Sequence, residues 1–415
     1  MSILTRWGVA LAVVCTVAVA GCTAGGTRSD GPAWSASWSA APQRPSIGFG
    51  PNWSEAGFSH QTLRQVVRLT SGGDDVRIRL SNRYGDGPLV ITGASIGLAG
   101  TGAGIQPGSA HPLTFGTRET ATIPPGGEIT SDAAQLQVKP LESVTVTLYF
   151  DGTTGPATFH SQGWTDSYAA PGDHRVNIGG DAFTSHTESW YYLTDVEVGG
   201  RSARQDTVVA FGDSITDGFG STLGTNNRWP DELADRLAGV NRQRAVLDEG
   251  IGGNLVLNDS AWYGDRAGIR FAHDVLDKPG VHSVIILEGV NDIGFSETNQ
   301  PTYKPNPDVS AEQIIAGYQT LIQQAHARGI RVIGATLLPF GGSDHYSARS
   351  AAKRQAINAW IHTAGKFDAV VDFAAVVADP NNAEVLAPGY DSGDHLHPND
   401  AGYRAMAQAI DPNSL

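Results

Sequence analysis

Up to about residue 203 the hydrophobic positions alternate with polar ones; beyond it they gather into short unbroken runs. Asp75-Val76-Arg77-Ile78-Arg79-Leu80 places Val76, Ile78 and Leu80 on one face, and Ser143-Val144-Thr145-Val146-Thr147-Leu148-Tyr149-Phe150 repeats the two-residue period. Residues 61–69 read as a strand with one adjacent pair, Val66-Val67. Alternation of this kind belongs to a strand with one face in a core. Glycine- and proline-rich turns separate the runs, at Ser71-Gly72-Gly73-Asp74, Tyr84-Gly85-Asp86-Gly87-Pro88 and Pro124-Pro125-Gly126-Gly127. With no helical period among them, residues 33–203 are predicted to form an all-β, jelly-roll-like sandwich domain.

Residues 204–415 carry a different rhythm. Thr207-Val208-Val209-Ala210-Phe211 is continuously apolar, as a strand buried on both faces should be. Further strands are predicted at residues 245–247, 282–288, 330–336 and 367–372. Helices are predicted over residues 229–238, 310–328 and 399–409. Strand and helix in alternation imply a parallel sheet covered on both faces, and hence a second, α/β domain.

The first 22 residues read as a leader rather than as fold. Arg6 precedes an uncharged apolar run over residues 7–20, and Val19-Ala20-Gly21-Cys22 resembles a bacterial lipobox, with Cys22 as the lipidated residue. Residues 23–32 would then be a flexible tether, and the protein a secreted one held by lipid at the outer face of a bacterial membrane. The other cysteine, Cys15, lies inside the leader, so no disulfide is expected. A formal net charge of -14 argues against a nucleic-acid partner, which needs a basic face.

Four candidate groups lie just beyond predicted strands, where open parallel sheets bind ligands. Ser214 follows the first run in Phe211-Gly212-Asp213-Ser214-Ile215-Thr216; a helix-capping serine would look the same. Glu249-Gly250-Ile251-Gly252-Gly253-Asn254 follows the second, and a backbone N–H there could face an oxyanion. Asn291, in Gly289-Val290-Asn291-Asp292, follows the third and could offer a side-chain amide, or be an Asn-Asp turn. Asp394-His395-Leu396-His397-Pro398 sits near the end of the chain, where an Asp three residues before a His can orient its imidazole. Asp394, His395 and His397 also suggest a metal, but no further ligand cluster supports one. His395 reads as a loop residue or a substrate contact.

In order and position these blocks resemble the GDSL, or SGNH, hydrolase superfamily, from residue 207 to the C-terminus. The resemblance implies a flavodoxin-like domain with a five-stranded parallel sheet of order 2-1-3-4-5. It implies Ser214 as nucleophile, His397 as base and Asp394 as its orienting partner. The oxyanion hole would be formed by Ser214, Gly253 and Asn291. Two adjacent glycines leave the second donor open between Gly252 and Gly253, and Glu249 stands where many members have Asn. No cofactor is called for. The reaction implied is hydrolysis of a carboxylic ester through an acyl-enzyme, with activity rising as His397 loses its proton.

The β-rich region ahead of this domain looks like that of arylesterase and carbohydrate-esterase relatives, so short acyl groups on carbohydrate or small molecules are the expected substrates. A lipase or lysophospholipase, an acyltransferase to a sugar hydroxyl, and an idle surface carbohydrate-binding protein are the alternatives. For lipid, Phe219, Leu223, Trp262 and Phe295 could line an acyl pocket. For sugar binding, Trp34, Trp38, Trp53, Trp164 and Trp190 could stack on rings, unless they serve as packing.

Overall fold

Alternating side chains in the first half close two antiparallel sheets over one core. The computed structural model describes residues 33–200, 203–204, 206–363 and 365–415. The predicted leader, Cys22 and the tether lie outside the described residues. A six-stranded sheet runs in the spatial order Ser185–Thr187, Ser167–Pro171, Gln61–Arg68, Ser143–Phe150, Gly93–Leu98, His111–Leu113. Facing it is a four-stranded sheet, Trp34–Ser39, Leu193–Gly199, Asp75–Ser81, Glu128–Thr130. Val76, Ile78 and Leu80 are fully buried, packed in one cluster with Leu63, Val67, Val144, Val146 and Leu148. The Val66-Val67 pair straddles the pleat, so Leu63, Gln65 and Val67 share the inner face. Gln65 is accommodated there because its amide bonds the backbone N–H and C=O of Tyr191.

The unbroken runs of the second half form a five-stranded parallel sheet. In spatial order its strands are Val246–Gly250, Thr207–Gly212, Val281–Leu287, Arg331–Ala335 and Ala369–Val371. That is the order 2-1-3-4-5. Val208, Val209, Ala210 and Phe211 are wholly buried, as a strand covered on both faces requires. The helix Ala311–His326 starts at a capping box, with the Ser310 hydroxyl accepting from the Gln313 N–H and the Gln313 side chain accepting from the Ser310 N–H. Asn399 caps the closing helix Asp400–Ala409. A helix over Ala348–Thr363 and a hairpin pairing Ala378–Asp379 with Asn382–Leu386 were not predicted.

The described residues of both halves fall in one compact unit. The strand Trp34–Ser39 joins them: Ser35 bonds the Thr207 hydroxyl at 3.0 Å and Ala36 packs into the core of the parallel sheet. Beyond an aromatic patch where Phe49 and Trp164 meet Phe219 and Tyr263, much of the seam is polar. Arg68 forks onto Asp235 (3.1 and 2.6 Å), Arg44 and Tyr84 both reach Asp265 (2.7 and 2.9 Å), and buried Lys278 bridges Asp195 and Glu249 (2.7 and 2.8 Å). Glu249, the departure noted in the second block, therefore takes part in this seam. Trp38 and Trp190 are buried edge to face, and Trp53 stacks on Tyr191, which is the packing role rather than the sugar-stacking one.

Candidate active site

The first parallel strand ends at Gly212, where a Cβ would come within 2.2 Å of the Leu287 carbonyl oxygen. The chain turns at once into the short helix Ser214–Asp217, capped by the Asp213 carboxylate accepting the Ile215 N–H at 3.0 Å. It stops at Gly218, whose φ of 99° suits glycine. This tight turn presents the Ser214 hydroxyl at the carboxyl edge of the sheet. Burial pushes the Asp213 carboxyl up to about 7, against the Ile215 bond that favours its charge.

Ser214 Oγ lies 2.8 Å from His397 Nε2, and His397 Nδ1 lies 2.6 Å from Asp394 Oδ2. The second carboxylate oxygen of Asp394 accepts the N–H groups of Leu396 and His397, both at 2.9 Å. Burial works against the charge of Asp394, but the bonds from His397 and these N–H groups outweigh it and hold the carboxyl below the usual range. An ionised Asp394 fixes the proton of His397 on Nδ1, leaving Nε2 as the acceptor for the serine proton. The Phe219 ring covers the imidazole at 4.4 Å between centroids, and the Phe219 carbonyl is itself held by the Tyr403 hydroxyl at 2.5 Å.

Ser214, Gly253 and Asn291 line one cleft, and each brings an N–H group to it. Among the described residues, the backbone N–H groups of Ser214 and Gly253 have no protein acceptor. Gly252 is already committed, donating to Asp217 Oδ2 at 2.9 Å, so of the two glycines Gly253 is the one left to donate. Its φ of 76°, and a Tyr263 ring 2.5 Å from where a Cβ would stand, explain the glycine. Asn291 opens the helix Val290–Gly294 and gives one amide hydrogen to the Asn254 carbonyl at 3.0 Å, leaving the other free. Its oxygen faces His345 Nε2 at 3.4 Å. Burial, with a smaller push from His397, lowers His345 to about 4, so the ring is neutral and can meet that oxygen with an N–H.

Residues with no local sequence signal support this site. Arg270, fully buried, donates to Gly212 O, Glu249 O and Asn254 Oδ1 (2.7, 2.8 and 2.7 Å), tying the ends of the first two parallel strands to the glycine loop. The cleft above Ser214 has a volume of about 460 Å³. Its walls are the rings of Phe49, Phe219, Tyr263, Phe295 and Tyr303, with Leu396 as their aliphatic companion and Ser343, Asp344 and His395 at the polar side. Phe49 comes from the sandwich half. Of the four side chains proposed for an acyl pocket, Phe219 and Phe295 line the cleft, whereas Leu223 and Trp262 do not. His395 lines it too, its Nδ1 2.6 Å from Asp391 Oδ2, and it is held at a positive φ of 64°. Among the described residues no cluster of His, Cys, Asp and Glu fits a metal ion.

An open parallel sheet of this order, with hydroxyl, imidazole and carboxylate in file at its carboxyl edge, is the arrangement of a hydrolytic enzyme of the flavodoxin-like α/β class. Residues 210–405 match the GDSL-like lipase/acylhydrolase family, and the protein is a carboxylic ester hydrolase. Among solved structures the chain is similar to a protein described as lipolytic, of the G-D-S-L family, from Desulfitobacterium hafniense DCB-2 (27% identity, TM-score 0.37, covering 50% of this chain and 99% of that one). It is also similar to a GDSL-like lipase from Bacteroides thetaiotaomicron VPI-5482 (22%, 0.36, 50% and 86%). A third is an acetyl xylan esterase from Geobacillus stearothermophilus (22%, 0.39, 50% and 93%). No curated protein matches the chain.

Proposed function

We propose that the protein hydrolyses esters of short acyl groups on ring-bearing alcohols, sugars or small aryl compounds, through an acyl-enzyme on Ser214. His397 takes the proton of Ser214 as the hydroxyl attacks the ester carbonyl, and Asp394 stabilises the resulting imidazolium. The oxyanion is met by the N–H groups of Ser214 and Gly253 and by the Asn291 amide. His397 then protonates the leaving alcohol, and a water activated by the same imidazole attacks the acyl-enzyme and releases the acid.

The observation carrying the substrate class is the wall of the cleft: five aromatic rings and a polar rim around Ser214, with a single aliphatic side chain. Rings and polar groups suit an aryl ring or the C–H face of a sugar ring with its hydroxyls, whereas an extended alkyl chain is best served by aliphatic lining. A series of p-nitrophenyl esters from C2 to C16 checks this, together with acetylated sugars. The expected result is a kcat/KM that peaks at C2 to C4, with acetate released from the sugars. A peak at C8 or beyond, with no sugar deacetylation, would make the protein a lipase or lysophospholipase instead. Placement at a membrane through lipid on Cys22 is part of the same proposal, and mass analysis of the purified N-terminus tests it.

A further inference from the structure

The sandwich half reaches the oxyanion region at a second point besides Phe49. His160, on the strand Phe159–His160, is buried against the parallel sheet, its ring stacked on Trp190. Its ring nitrogens meet only acceptors. Nδ1 lies 2.9 Å from the Ala41 carbonyl oxygen, and Nε2 lies 3.1 Å from Asp217 Oδ1 and 3.2 Å from the Gln162 carbonyl oxygen. Two nitrogens that both face acceptors must both carry protons, so the ring is an imidazolium paired with a buried Asp217 carboxylate. The electrostatics agree: burial alone would lower the pKa of His160, but Asp217 outweighs it and the pKa is raised.

Asp217 is the last residue of the helix that begins at Ser214, and its other oxygen accepts the Gly252 N–H at 2.9 Å. The bare face of Gly252 is covered from the same side. A Cβ there would stand 2.7 Å from Gln162 Oε1 and 2.8 Å from the Phe49 ring, both in the sandwich half. Gly252 is thus held through its N–H by Asp217, the partner of His160, and on its bare face by the sandwich, and the next peptide carries the Gly253 N–H.

We infer that His160 is a positioning residue for the oxyanion hole: through Asp217 it fixes the Gly252 peptide and so aims the Gly253 N–H, which makes the sandwich half an integral part of the active site. This rests on the reading of Ser214 as nucleophile and Gly253 as donor. An N–H fixed in place before the reaction stabilises the charge that develops in the transition state, so its misplacement lowers kcat more than it raises KM. A role in holding the halves together would instead reduce the fraction of folded enzyme.

The test is kcat per active site, with sites counted by fluorophosphonate labelling of Ser214. His160→Phe keeps the ring against Trp190 and removes the N–H groups; His160→Gln keeps one donor for Asp217. For p-nitrophenyl acetate, His160→Phe should lower kcat per labelled site about ten-fold or more with KM within about three-fold, and His160→Gln should recover most of it. Arg44→Ala, which cuts the Asp265 contact in the same seam, should leave kcat per site unchanged. Wild-type kcat per site in His160→Phe, whatever its melting temperature, overturns the inference. If that variant does not fold, Asp217→Asn serves: it removes the charge that pairs with His160, and wild-type kcat per site there overturns the inference equally. Absence of labelling at Ser214 in the wild type would count against the nucleophile itself, a separate failure.

Discussion

The amide of Asn291 is held at both ends, an arrangement that suits the oxyanion donor proposed above. Its nitrogen is tied to the Asn254 carbonyl and its oxygen faces His345, so the remaining N–H has one direction to point. Asn291→Ala removes that donor without disturbing the Ser214–His397 contact. Its kcat for p-nitrophenyl acetate should fall by about 10²- to 10³-fold, with little change in KM. Steady-state kinetics decide, and an unchanged kcat would remove Asn291 from the oxyanion hole. Ser214, Asn291, Asp394 and His397 were legible as candidates: the first two are particular chemical groups just past a strand end, and the last two are an Asp three residues ahead of a His before the closing helix. Arg270, His345, Phe49 and His160 were not: each acts through partners distant in the chain, and no local pattern marks them. What sets Gly252 apart from Gly253 could not be read from sequence either, since the Gly252 N–H is taken up by the side chain of Asp217, 35 residues away.

At the scale of elements, the parallel strands were readable because burial on both faces leaves unbroken apolar runs, and their boundaries moved by only a few residues. The strand predicted at 367–372 shortens to Ala369–Val371. The helix Ala348–Thr363 escaped because its inner face mixes types: Ser350 and Arg354 are buried beside Ala351, Ile357 and Ile361. Arg354 sits inside because its guanidinium reaches the Leu337 and Ala383 carbonyls and the Glu384 carboxylate, partners that no helical period encodes. The five-residue strand Asn382–Leu386 pairs with only two residues, so its hairpin leaves little pattern. The sandwich was legible as alternation, whereas its share in the active-site cleft depends on one loop residue, Phe49, and on the burial of His160.

The whole molecule is two cores joined through ion pairs and an aromatic patch, and it buries several carboxyls near that seam and the site. Asp213, Asp248 and Asp292 are each pushed by burial up to about 7. In the unfolded chain such groups titrate near 4. Between about pH 4 and 7 the folded protein therefore holds protons that the unfolded chain has released, and stability falls as pH rises through that window. His160, with its raised pKa, acts in the same sense. His345, lowered to about 4 by burial, acts in the opposite sense, losing its contribution as pH falls from about 6.5 towards 4. Asp394 adds stability that is lost only below the usual carboxylate range. The melting temperature by calorimetry should be higher at about pH 5 than at about pH 7.5; a melting temperature that rises across that interval would contradict these protonation states. For the account as a whole, the most direct measurement is to quench the enzyme during turnover of p-nitrophenyl acetate and locate the acyl group by peptide mass spectrometry. Acetyl is expected on the peptide bearing Ser214, with neither adduct nor turnover in Ser214→Ala. Acetyl on another residue, or a Ser214→Ala variant that hydrolyses the ester at the wild-type rate, would contradict it.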